Sequence, residues 1–208
     1  MTKIIHQIFI DIGLKPYDER LDYQRNVAIN KKMNPDYDHK LWTDDSIEKL
    51  IVEQPEPIKV IWNDFPDPFY KIDFARYLIL QKYGGIYIDL DVICKIPLSS
   101  ITEQWGVSVP EIVGAWCHPE TNKWEINNNV ISLRPELYPK LIEYAMEQYY
   151  DKKDMKVYKT WKKRLFLQTV GCRMFKRFIK KYQVKNKLPF DIMFQDQEGG
   201  AWVNRKFQ

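Results

Sequence analysis

The chain has 208 residues, of which 45% are hydrophobic and 29% are charged, as in an ordinary globular protein. This length suits one sizeable domain. No apolar run approaches the roughly 20 residues that span a bilayer, and the N-terminal apolar run is too short and too polar for a signal sequence. We therefore expect a cytoplasmic protein without a membrane anchor of its own.

The cysteines and the charges narrow the class of protein further. Cys94, Cys117 and Cys172 form an odd and sparse set, which argues for a reducing compartment and against a disulfide framework. Residues 152–187 contain fourteen Lys and Arg and one acid, so this segment carries +13 and the rest of the chain −9, given the net charge of +4. The acidic remainder is consistent with a cation site, and the basic segment with an anionic partner.

Hydrophobic periodicity predicts strands that alternate with helices. The most strongly periodic helix ends at Gly84 and Gly85, and one of its faces is expected to be buried. In chain order we predict a strand at 3–10, a helix at 20–33, a strand at 39–43, a helix at 46–53 that Pro55 and Pro57 end, a helix at 69–82, strands at 86–90, 109–116 and 123–133, a helix at 135–150, a basic and mostly helical region at 156–182, and a strand at 188–194. This order predicts an α/β domain with helices on both faces of its sheet.

Two carboxylates, Asp89 and Asp91, follow an apolar run after a Gly-Gly break. Residues i and i+2 of a strand point to the same face, so the pair would converge just beyond the end of the sheet. Acidic side chains this close repel each other unless a positive charge lies between them. Hard oxygen ligands suit Mg²⁺ or Mn²⁺, and the pair therefore predicts a divalent cation site.

Asp73 and Arg76 lie at i and i+3 on the preceding helix and share one of its faces. They are near the helix N-terminus, where a loop can fold them over the carboxyl end of the strand that carries Asp89, and ligands bind at that edge of open α/β sheets. Taken alone, the pair is better explained as a surface ion pair worth a few tenths of a kcal/mol. Together with the two strand carboxylates, the pair of Asp73 and Arg76 is a much more specific sign of a ligand-binding site.

Residues 71–91, KIDFARYLILQKYGGIYIDLD, closely resemble the sugar-binding DXD segment of a glycosyltransferase family. That family includes yeast-type α-1,6-mannosyltransferases, bacterial capsular-polysaccharide and lipopolysaccharide glycosyltransferases and, more distantly, the clostridial glucosylating toxins. Residues 3–9 are similar to its opening strand, with Phe9 where a tryptophan is usual, and residues 41–45 to its second strand and the following turn. The resemblance covers residues 3–135.

The resemblance implies a GT-A fold, which is a Rossmann-like α/β domain with a mostly parallel mixed sheet and, here, a C-terminal helical region. Residues 1–208 would form one such domain, with residues 1–135 as the donor-binding core and residues 136–208 as a helical acceptor region. The chain could also be one domain of a longer protein. A nucleotide-sugar donor bound with Mn²⁺ or Mg²⁺ is part of what the resemblance implies.

The resemblance also implies roles for individual residues. Asp89 and Asp91 match the residues that hold the metal on the donor diphosphate and contact the ribose. Asp73 matches the acid that binds hydroxyls of the donor sugar, and Arg76 matches the arginine near the sugar and the phosphate. Phe9 falls where an aromatic ring stacks on the nucleotide base.

Two further positions match the family less directly. Tyr87 falls at a family aromatic residue beside the donor. Asn129 is expected to match an asparagine near the donor sugar, although Asn127 and Asn128 leave the register open. The terminal His/Ser-Trp signature that usually closes the site is degraded here. Its nearest equivalents are Asp196, Gly199, Gly200 and Trp202, and Asp196 or Glu198 could supply a late metal or phosphate contact.

The chemistry of glycosyl transfer explains these residue types. Departure of a nucleoside diphosphate builds negative charge, which a divalent cation and an arginine stabilise, while the sugar passes through an oxocarbenium-like state. Members of the family retain the anomeric configuration, and we expect front-face attack by the acceptor hydroxyl. The donor is expected to be a UDP-sugar such as UDP-glucose, because Phe9 suits uracil, but that ring also suits guanine and leaves a GDP-mannose-type mannosyltransferase as the alternative.

The expected acceptor is a glycan or glycolipid, and polysaccharide biosynthesis the expected setting. The basic segment 152–187 is explained most simply as the solvated face of an amphipathic helix, or it could approach an anionic membrane surface. Two functions of other kinds remain open. One is a nucleic-acid-binding module that uses the aromatic residues among these cations, which is the less expected one. The other is a non-catalytic sugar-binding relative of the enzymes.

Overall fold

The computed structural model describes residues 2–10, 12, 15–105, 111–118, 122–156, 162–185 and 189–196. The strands are β1 (Ile4–Ile8), β2 (Asp38–Trp42), β3 (Ile86–Ile88), β4 (Val92–Cys94), β5 (Ile112–His118), β6 (Lys123–Ser132) and β7 (Phe194–Asp196). The helices are α1 (Leu21–Met33), α2 (Asp44–Val52), α3 (Glu56–Asp64), α4 (Pro68–Tyr83), α5 (Leu98–Trp105), α6 (Leu137–Tyr150), α7 (Lys162–Thr169), α8 (Cys172–Lys181) and α9 (Phe190–Met193), with a 3₁₀ turn at Tyr17–Glu19.

The main sheet has the strand order β2-β1-β3-β6-β5. Strand β1 pairs in parallel with both β2 and β3, whereas β6 runs antiparallel to β3 and to β5. Four of the five strands therefore point the same way, which confirms the predicted mostly parallel mixed sheet. Because the chain passes from β1 to β2 on one side and returns to β3 on the other side of β1, a crevice opens at the carboxyl ends of β1 and β3.

Two buried clusters lie on the two faces of this sheet, as the order of elements predicts. The larger cluster joins Ile8 and Tyr87 to α2, α3, α4, α6, α7 and α8. The smaller cluster joins Ile5, Ile86 and Ile88 to α5 and α9. Side chains alternate along a strand, so Tyr87 faces the cluster that contains α4, and its two neighbours face the other one.

Helix α4 lies against β1, β3 and α6. The sequence pattern predicts one buried face, but ten of its 16 residues are buried, including Asp73 and Arg76, because elements pack around it on several sides. Asp67 caps the N-terminus by accepting a hydrogen bond from the N–H of Phe69 (3.0 Å). The helix ends at Gly84, whose positive φ of 65° redirects the chain into β3.

Two prolines begin a helix that the sequence pattern does not predict. Pro55 is the N-cap of α3 and Pro57 lies in its first turn, where the N–H that proline lacks has no partner within the helix. The strand predicted at 188–194 is wrong as well, because Pro189 caps the short helix α9. Strand β7 follows that helix and pairs with β4.

The basic segment 152–187 contains two helices, α7 and α8, rather than one long one. Residues 157–161 and 186–187 of this segment, including Trp161, lie outside the described residues, as does Val109 at the start of a predicted strand. Across the described ranges, no helix is both long and apolar enough to cross a bilayer. Cys94, Cys117 and Cys172 are free thiols.

Candidate active site

One pocket lies at the crevice beyond β1 and β3. It is lined by six of the seven side chains that the sequence singles out: Phe9, Asp73, Arg76, Tyr87, Asp89 and Asp91. They come from the end of β1, from α4, and from β3 with the residues after it. The fold therefore brings together side chains that are up to 82 positions apart in the chain.

Arg76 lies at the centre of a buried ion network. Its Nη2 is 3.0 Å from Oδ1 of Asp73 and 3.0 Å from Oδ1 of Asp89. Its Nη1 donates a hydrogen bond to the carbonyl of Asn128 (2.9 Å), and its guanidinium is 4.8 Å from the centre of the Tyr87 ring. The side chains of Asp73 and Arg76 are only 7% and 9% exposed, so the interpretation as a surface ion pair is wrong.

The contacts that hold the Asp89 side chain use its Oδ1 atom. The Tyr87 hydroxyl donates to its Oδ1 at 2.6 Å, and the ion pair with Arg76 uses the same atom. Burial raises the pKa of Asp89, whereas the Arg76 charge and the Tyr87 hydrogen bond lower it. Among the described residues, none makes a hydrogen bond or ion pair with Oδ2 of Asp89, so this oxygen can serve a ligand in the pocket.

Asp89 and Asp91 belong to a tight turn, not to a strand that runs to residue 90 as predicted. Strand β3 ends at Ile88. The N–H of Asp89 donates to the carbonyl of Asn129 (2.8 Å), and the N–H of Val92 donates back to the carbonyl of Asp89 (3.1 Å). Aspartate is favoured in such turns. The two carboxylates thus reach the same pocket through the turn rather than through the pleat of a strand.

Asp73 is the most deeply buried acid of the network. Burial raises its pKa to about 6, although the Arg76 charge and a hydrogen bond from Asn128 lower it, and the charge of Asp89 raises it. The ion pair with Arg76 at 3.0 Å favours the carboxylate form of Asp73, which can accept hydrogen bonds.

Asn129 is the one predicted site residue that does not line the pocket. Its side chain donates to the carbonyl of Ala115 in β5 (3.2 Å). It lies over Gly114, where a Cβ would come within 2.0 Å of its Oδ1. Of the three asparagines left open by the sequence, Asn127 and Asn128 line the pocket.

A basic and aromatic part of the pocket was missed by sequence reasoning. Lys15, Arg20 and Tyr23 line it together with Phe9. Arg20 is paired with Asp22 at 2.7 Å, and its guanidinium lies 3.6 Å from the centre of the Tyr23 ring. No spacing in the sequence marks these residues, because they meet only where the connection after β1 returns beside the end of that strand.

Another part of the pocket is apolar and includes the C-terminal helices. Phe166 and Leu167 of α7 line it, together with Phe69 and Ile72 of α4. Two of these side chains, Ile72 and Leu167, are half-buried and offer apolar surface to a bound molecule. The pocket therefore combines a charged floor with an apolar wall.

Tyr77 fastens the C-terminal helices to α4. Its hydroxyl donates to the carbonyl of Val170 (2.7 Å), and its ring stacks on Phe175 at a centroid distance of 6.2 Å. Gly171, the N-cap of α8, packs beside the network, since a Cβ at this position would lie 3.3 Å from Oδ2 of Asp73. The start of α8 thus approaches the sugar-binding acid that the resemblance implies.

His6 is a core residue, as its place in an apolar strand indicates. The Trp42 indole N–H donates to its Nδ1 (3.1 Å), so Nε2 carries the proton and donates to the carbonyl of Gly84 (3.0 Å). Burial lowers the pKa of His6 to about 4; the bond to Gly84 raises it, and the charge of Lys40 lowers it. The ring is neutral at pH 7 and does not line the pocket.

The acids of the pocket fit a divalent cation that arrives with a diphosphate. Oδ2 of Asp89 and the half-buried carboxylate of Asp91 are hard oxygen donors in one pocket. No group of three or more His, Cys, Asp or Glu suited to a metal occurs among the described residues. Mg²⁺ in particular is usually bound through one or two carboxylates plus substrate phosphates, so a pair of acids is a sufficient protein contribution.

Most residues of the degraded C-terminal signature lie outside the part of the chain that the structure describes. Glu198, Gly199, Gly200 and Trp202 are outside the described residues. The backbone of Asp196 is described, and it pairs with Val92, directly after the turn that carries Asp91. The contact predicted for Asp196 or Glu198 stays a prediction.

Comparison with known proteins shows what the part of the chain that carries the pocket is similar to. Residues 18–108 match the model of the family described as "Glycosyltransferase sugar-binding region containing DXD motif". The resemblance seen in the sequence is thereby confirmed for this part of the chain, which includes all four charged residues of the network and its turn.

Two yeast relatives illustrate the similarity. Inositol phosphoceramide mannosyltransferase 1 of Schizosaccharomyces pombe is 32% identical over 113 residues, which are 53% of this chain and 34% of that protein. The initiation-specific alpha-1,6-mannosyltransferase of Saccharomyces cerevisiae is 36% identical over 74 residues, which are 34% of this chain and 15% of that protein. The matched segments thus span about a third or less of these relatives' own length.

A solved structure, that of the PaToxG glycosyltransferase, superposes with a TM-score of 0.57 over 86% of this chain and 69% of that one. The sequence identity is 15%, so the likeness concerns the fold. It confirms the predicted GT-A fold. The division into a donor-binding core at 1–135 and an acceptor region at 136–208 stays a prediction.

Proposed function

We propose that this protein is a metal-dependent, retaining glycosyltransferase that moves a hexose from a nucleotide-sugar to a glycan or glycolipid acceptor. The observation that carries the proposal is the buried network in which Arg76 joins Asp73 to Asp89 at 3.0 Å each, at the edge of a pocket that Asp91 also lines. Burying three charged side chains is costly unless they are paired or serve a function. A sugar diphosphate is a ligand that such a set suits.

Each residue has a task in this proposal. Asp73, held in its carboxylate form by the ion pair with Arg76, accepts hydrogen bonds from hydroxyls of the donor sugar. The nitrogens Nη1 and Nη2 of Arg76 are already engaged by Asn128, Asp73 and Asp89, so its contribution is positive charge beside the departing diphosphate. A glycan hydroxyl would attack from the same face that the diphosphate leaves, which retains the configuration.

Asp89 and Asp91 would hold the Mn²⁺ or Mg²⁺ ion. When bound, the ion neutralises charge on the leaving diphosphate. Tyr87 and Arg76 keep Asp89 in one orientation through Oδ1 and leave Oδ2 to the pocket. Phe9 packs edge-on against Tyr17 at 5.3 Å, which fixes an aromatic surface for the nucleotide base.

The proposed identities of the donor and the acceptor rest on less specific observations. UDP-glucose is our first choice of donor, because a single aromatic ring at Phe9 suits uracil, and GDP-mannose is the alternative, given that the two yeast relatives are named mannosyltransferases. A glycolipid acceptor suits the apolar wall formed by Ile72 and Leu167. Inositol phosphoceramide, named for one relative, belongs to that class.

A screen of nucleotides and nucleotide-sugars tests the proposal. Thermal unfolding is measured with UDP, GDP, UDP-glucose and GDP-mannose, each with Mn²⁺, and donor hydrolysis is followed in parallel. Saturation at 100 times Kd stabilises a protein by about 2.7 kcal/mol, which raises Tm by several degrees for a domain of this size. Asp91→Ala should abolish the shift and the hydrolysis, whereas Asp45→Ala on the exposed side of α2 should preserve both.

The outcomes separate the competing functions. A rise in Tm with the UDP compounds alone supports a UDP-sugar as the donor. A rise in Tm with the GDP compounds alone supports a GDP-mannose-dependent mannosyltransferase. Binding without hydrolysis or transfer to any glycan would identify a non-catalytic sugar-binding relative. No response to any of the four ligands would refute the proposal.

We also propose that the protein lies in the cytoplasm and meets an anionic membrane surface through α8, where a lipid-linked acceptor would reside. Arg173 and Lys180 are exposed on this helix, whose first residue, Cys172, lines the pocket. Vesicles of phosphatidylcholine with phosphatidylserine should bind the wild-type protein, and less so the variant with both cations changed to Gln. The control changes Lys31 and Lys32 of α1, which are also exposed.

The same variants test the alternative of a nucleic-acid-binding module. Salt-dependent binding of single-stranded oligonucleotides, lost in the α8 variant, would favour it. Equal vesicle binding by both variants, or none by the wild type, would refute the membrane contact. Neither result affects the nucleotide screen.

A further inference from the structure

Helix α1 and the residue after it carry three buried asparagines at a spacing of four: Asn26, Asn30 and Asn34. Their exposed fractions are 2%, 0% and 0%. Residues four apart lie on one face of a helix, and asparagine is a poor helix former that is seldom fully buried. A row of three such side chains therefore needs partners outside the helix.

Asn26 and Asn30 find their partners in the DXD turn and in strand β4, which follows it. Asn26 donates from Nδ2 to the carbonyl of Leu90 (2.9 Å). Asn30 donates to the carbonyl of Val92 (2.9 Å) and accepts from the N–H of Cys94 (2.8 Å). The two bonds of Asn30 pair α1 with β4 as a neighbouring strand would.

Asn34 continues the row farther from the turn. Its Oδ1 accepts from the N–H of Leu98 (2.7 Å) at the start of α5, and its Nδ2 donates to the carbonyl of Asn30 (3.1 Å). The asparagine ladder, Asn26, Asn30 and Asn34, thus fastens successive points of residues 90–98 to one helix.

The hydrogen bond made by Asn26 lies next to Asp91, which is a proposed metal ligand. The Leu90 carbonyl belongs to the peptide group that joins Leu90 to Asp91, so the bond from Asn26 fixes the peptide plane on the N-terminal side of Asp91. The peptide on its C-terminal side is fixed as well, because the N–H of Val92 donates to the carbonyl of Asp89 (3.1 Å). These two planes set the direction of the Cα–Cβ bond of Asp91.

We propose that Asn26 is a positioning residue for the cation and the donor diphosphate: it sets the backbone of Asp91 relative to Asp89 while touching neither the ion nor the substrate. The proposal rests on the proposed function, since it assigns Asn26 to the cation site of that reaction. Groups that orient a metal ligand typically cost tenfold or more in metal affinity when they are removed. Helix α1 is capped by Arg20 and contains Tyr23, and both residues line the pocket. The ladder therefore links this part of the pocket to the turn that carries Asp89 and Asp91.

Asn34 provides a matched control. It is as buried as Asn26 and makes one hydrogen bond more, but it acts at Leu98, seven residues beyond Asp91. Asn26→Leu and Asn34→Leu replace the amide by an apolar group of similar size. A purely structural ladder predicts that Asn34→Leu is at least as harmful in every measurement.

Two measurements on the full chain separate positioning from stability. Binding of Mn²⁺ in the presence of UDP, and separately of GDP, is followed by electron paramagnetic resonance of the free ion. Amide hydrogen exchange of the segment 89–92 is measured without any ligand. Thermal unfolding of each variant gives the loss of stability for comparison.

For Asn26→Leu we expect the Kd of Mn²⁺ with the nucleotide to rise about tenfold or more and the amides at 89–92 to exchange faster. For Asn34→Leu we expect a Kd within about twofold of the wild type, despite an equal or larger fall in Tm. Asn26→Ser serves the same comparison if Asn26→Leu does not fold.

Other results would overturn the inference. Equal losses of Mn²⁺ affinity in the two variants, or normal affinity in Asn26→Leu, would refute the positioning role and leave the proposed function intact. Failure of the wild-type protein to bind Mn²⁺ with either nucleotide would refute the proposed function and this role of Asn26 together.

Discussion

Arg76 holds both acids of the network through a single nitrogen atom. Nη2 contacts Asp73 and Asp89, and Nη1 is bound to the carbonyl of Asn128. A lysine has one nitrogen and no planar fork, so it cannot reproduce these three contacts. The network depends on the guanidinium group and not on positive charge alone.

Arg76→Lys is therefore expected to lower kcat/KM for donor hydrolysis by about 10²-fold, the usual cost of removing one preorganised electrostatic contact. The control is Arg134→Lys, because Arg134 is 51% exposed and paired with Glu111 on the surface. Steady-state kinetics with the donor found in the nucleotide screen measures both variants. Equal kinetics for Arg76→Lys and the wild type would contradict the assigned role.

Among the individual site residues, the sequence predicts those that lie two or three positions apart in the chain. The i, i+3 pattern identifies Asp73 and Arg76, since helix periodicity places them on one face. The i, i+2 pattern identifies Asp89 and Asp91, although a tight turn, and not the pleat of a strand, brings these two to the pocket. The same local logic does not decide which asparagine of a run faces a ligand. It also gives no sign of Lys15, which reaches the pocket only through a loop connection.

The junction between α4 and β3 is the element on which the turn with the two acids depends. Gly85 has φ +82°, and a Cβ there would lie 2.5 Å from the carbonyl oxygen of Ile4 in β1. Gly84 also has a positive φ, but a Cβ on it would meet only the Thr2 side chain, at 3.4 Å. Both glycines have a positive φ that L side chains rarely adopt, and at Gly85 a Cβ would also clash with the backbone of β1.

Gly85→Ala should lower the free energy of unfolding by about 3 kcal/mol, from left-handed strain of about 1–2 kcal/mol plus displacement of the β1–β3 pair. Gly84→Ala carries the strain without the clash and should cost about half as much. Denaturant unfolding of the two variants measures the difference. A Gly84→Ala variant less stable than Gly85→Ala would contradict this account of the junction.

Elements were predictable where the hydrophobic pattern is clear: α6 is amphipathic, and α4 is a long apolar segment that Gly84 ends. The sequence pattern does not predict α3, because prolines commonly end helices, whereas Pro55 is the N-cap of this one and Pro57 lies in its first turn. The asparagine ladder has a visible signal in the four-residue spacing along α1. Its meaning is non-local, because the partners are more than 60 residues away in the chain.

The stability of the whole molecule should depend on the neutral form of His6. Its pKa is about 4 in the folded protein against 6.5 when unfolded, so the unfolded state binds more protons between these values and stability falls as the pH decreases. The loss begins below pH 6.5 and amounts to about 3 kcal/mol once the pH reaches 4, at 1.36 kcal/mol for each pKa unit.

The prediction is tested by the free energy of unfolding at pH 7.5, 6 and 5 for the wild type and for His6→Gln. Asp73 acts in the opposite direction, because its raised pKa favours the folded state as the pH decreases, and only the difference between the two proteins isolates His6. The variant should be less stable at pH 7.5 and lose less stability on acidification. Parallel curves for the two proteins would contradict the assignment.

The fold class was predictable because alternating strands and helices allow few arrangements. The reversed direction of β6 and the strand order were not, since they are set by packing between distant elements. The distribution of charge is also a property of the whole molecule. The separation of +13 in residues 152–187 from −9 in the rest of the chain is evident from the sequence alone. Which cations of α8 are exposed required the three-dimensional structure.

The bond from Tyr77 to Val170 and the stacking of its ring on Phe175 mean that the two ends of the chain are not interchangeable modules. A hybrid protein that takes its C-terminal helices from a relative would keep an intact donor pocket only under two conditions. The incoming segment must supply an aromatic ring at the Phe175 position, and it must leave the Gly171 position without a side chain beside Asp73.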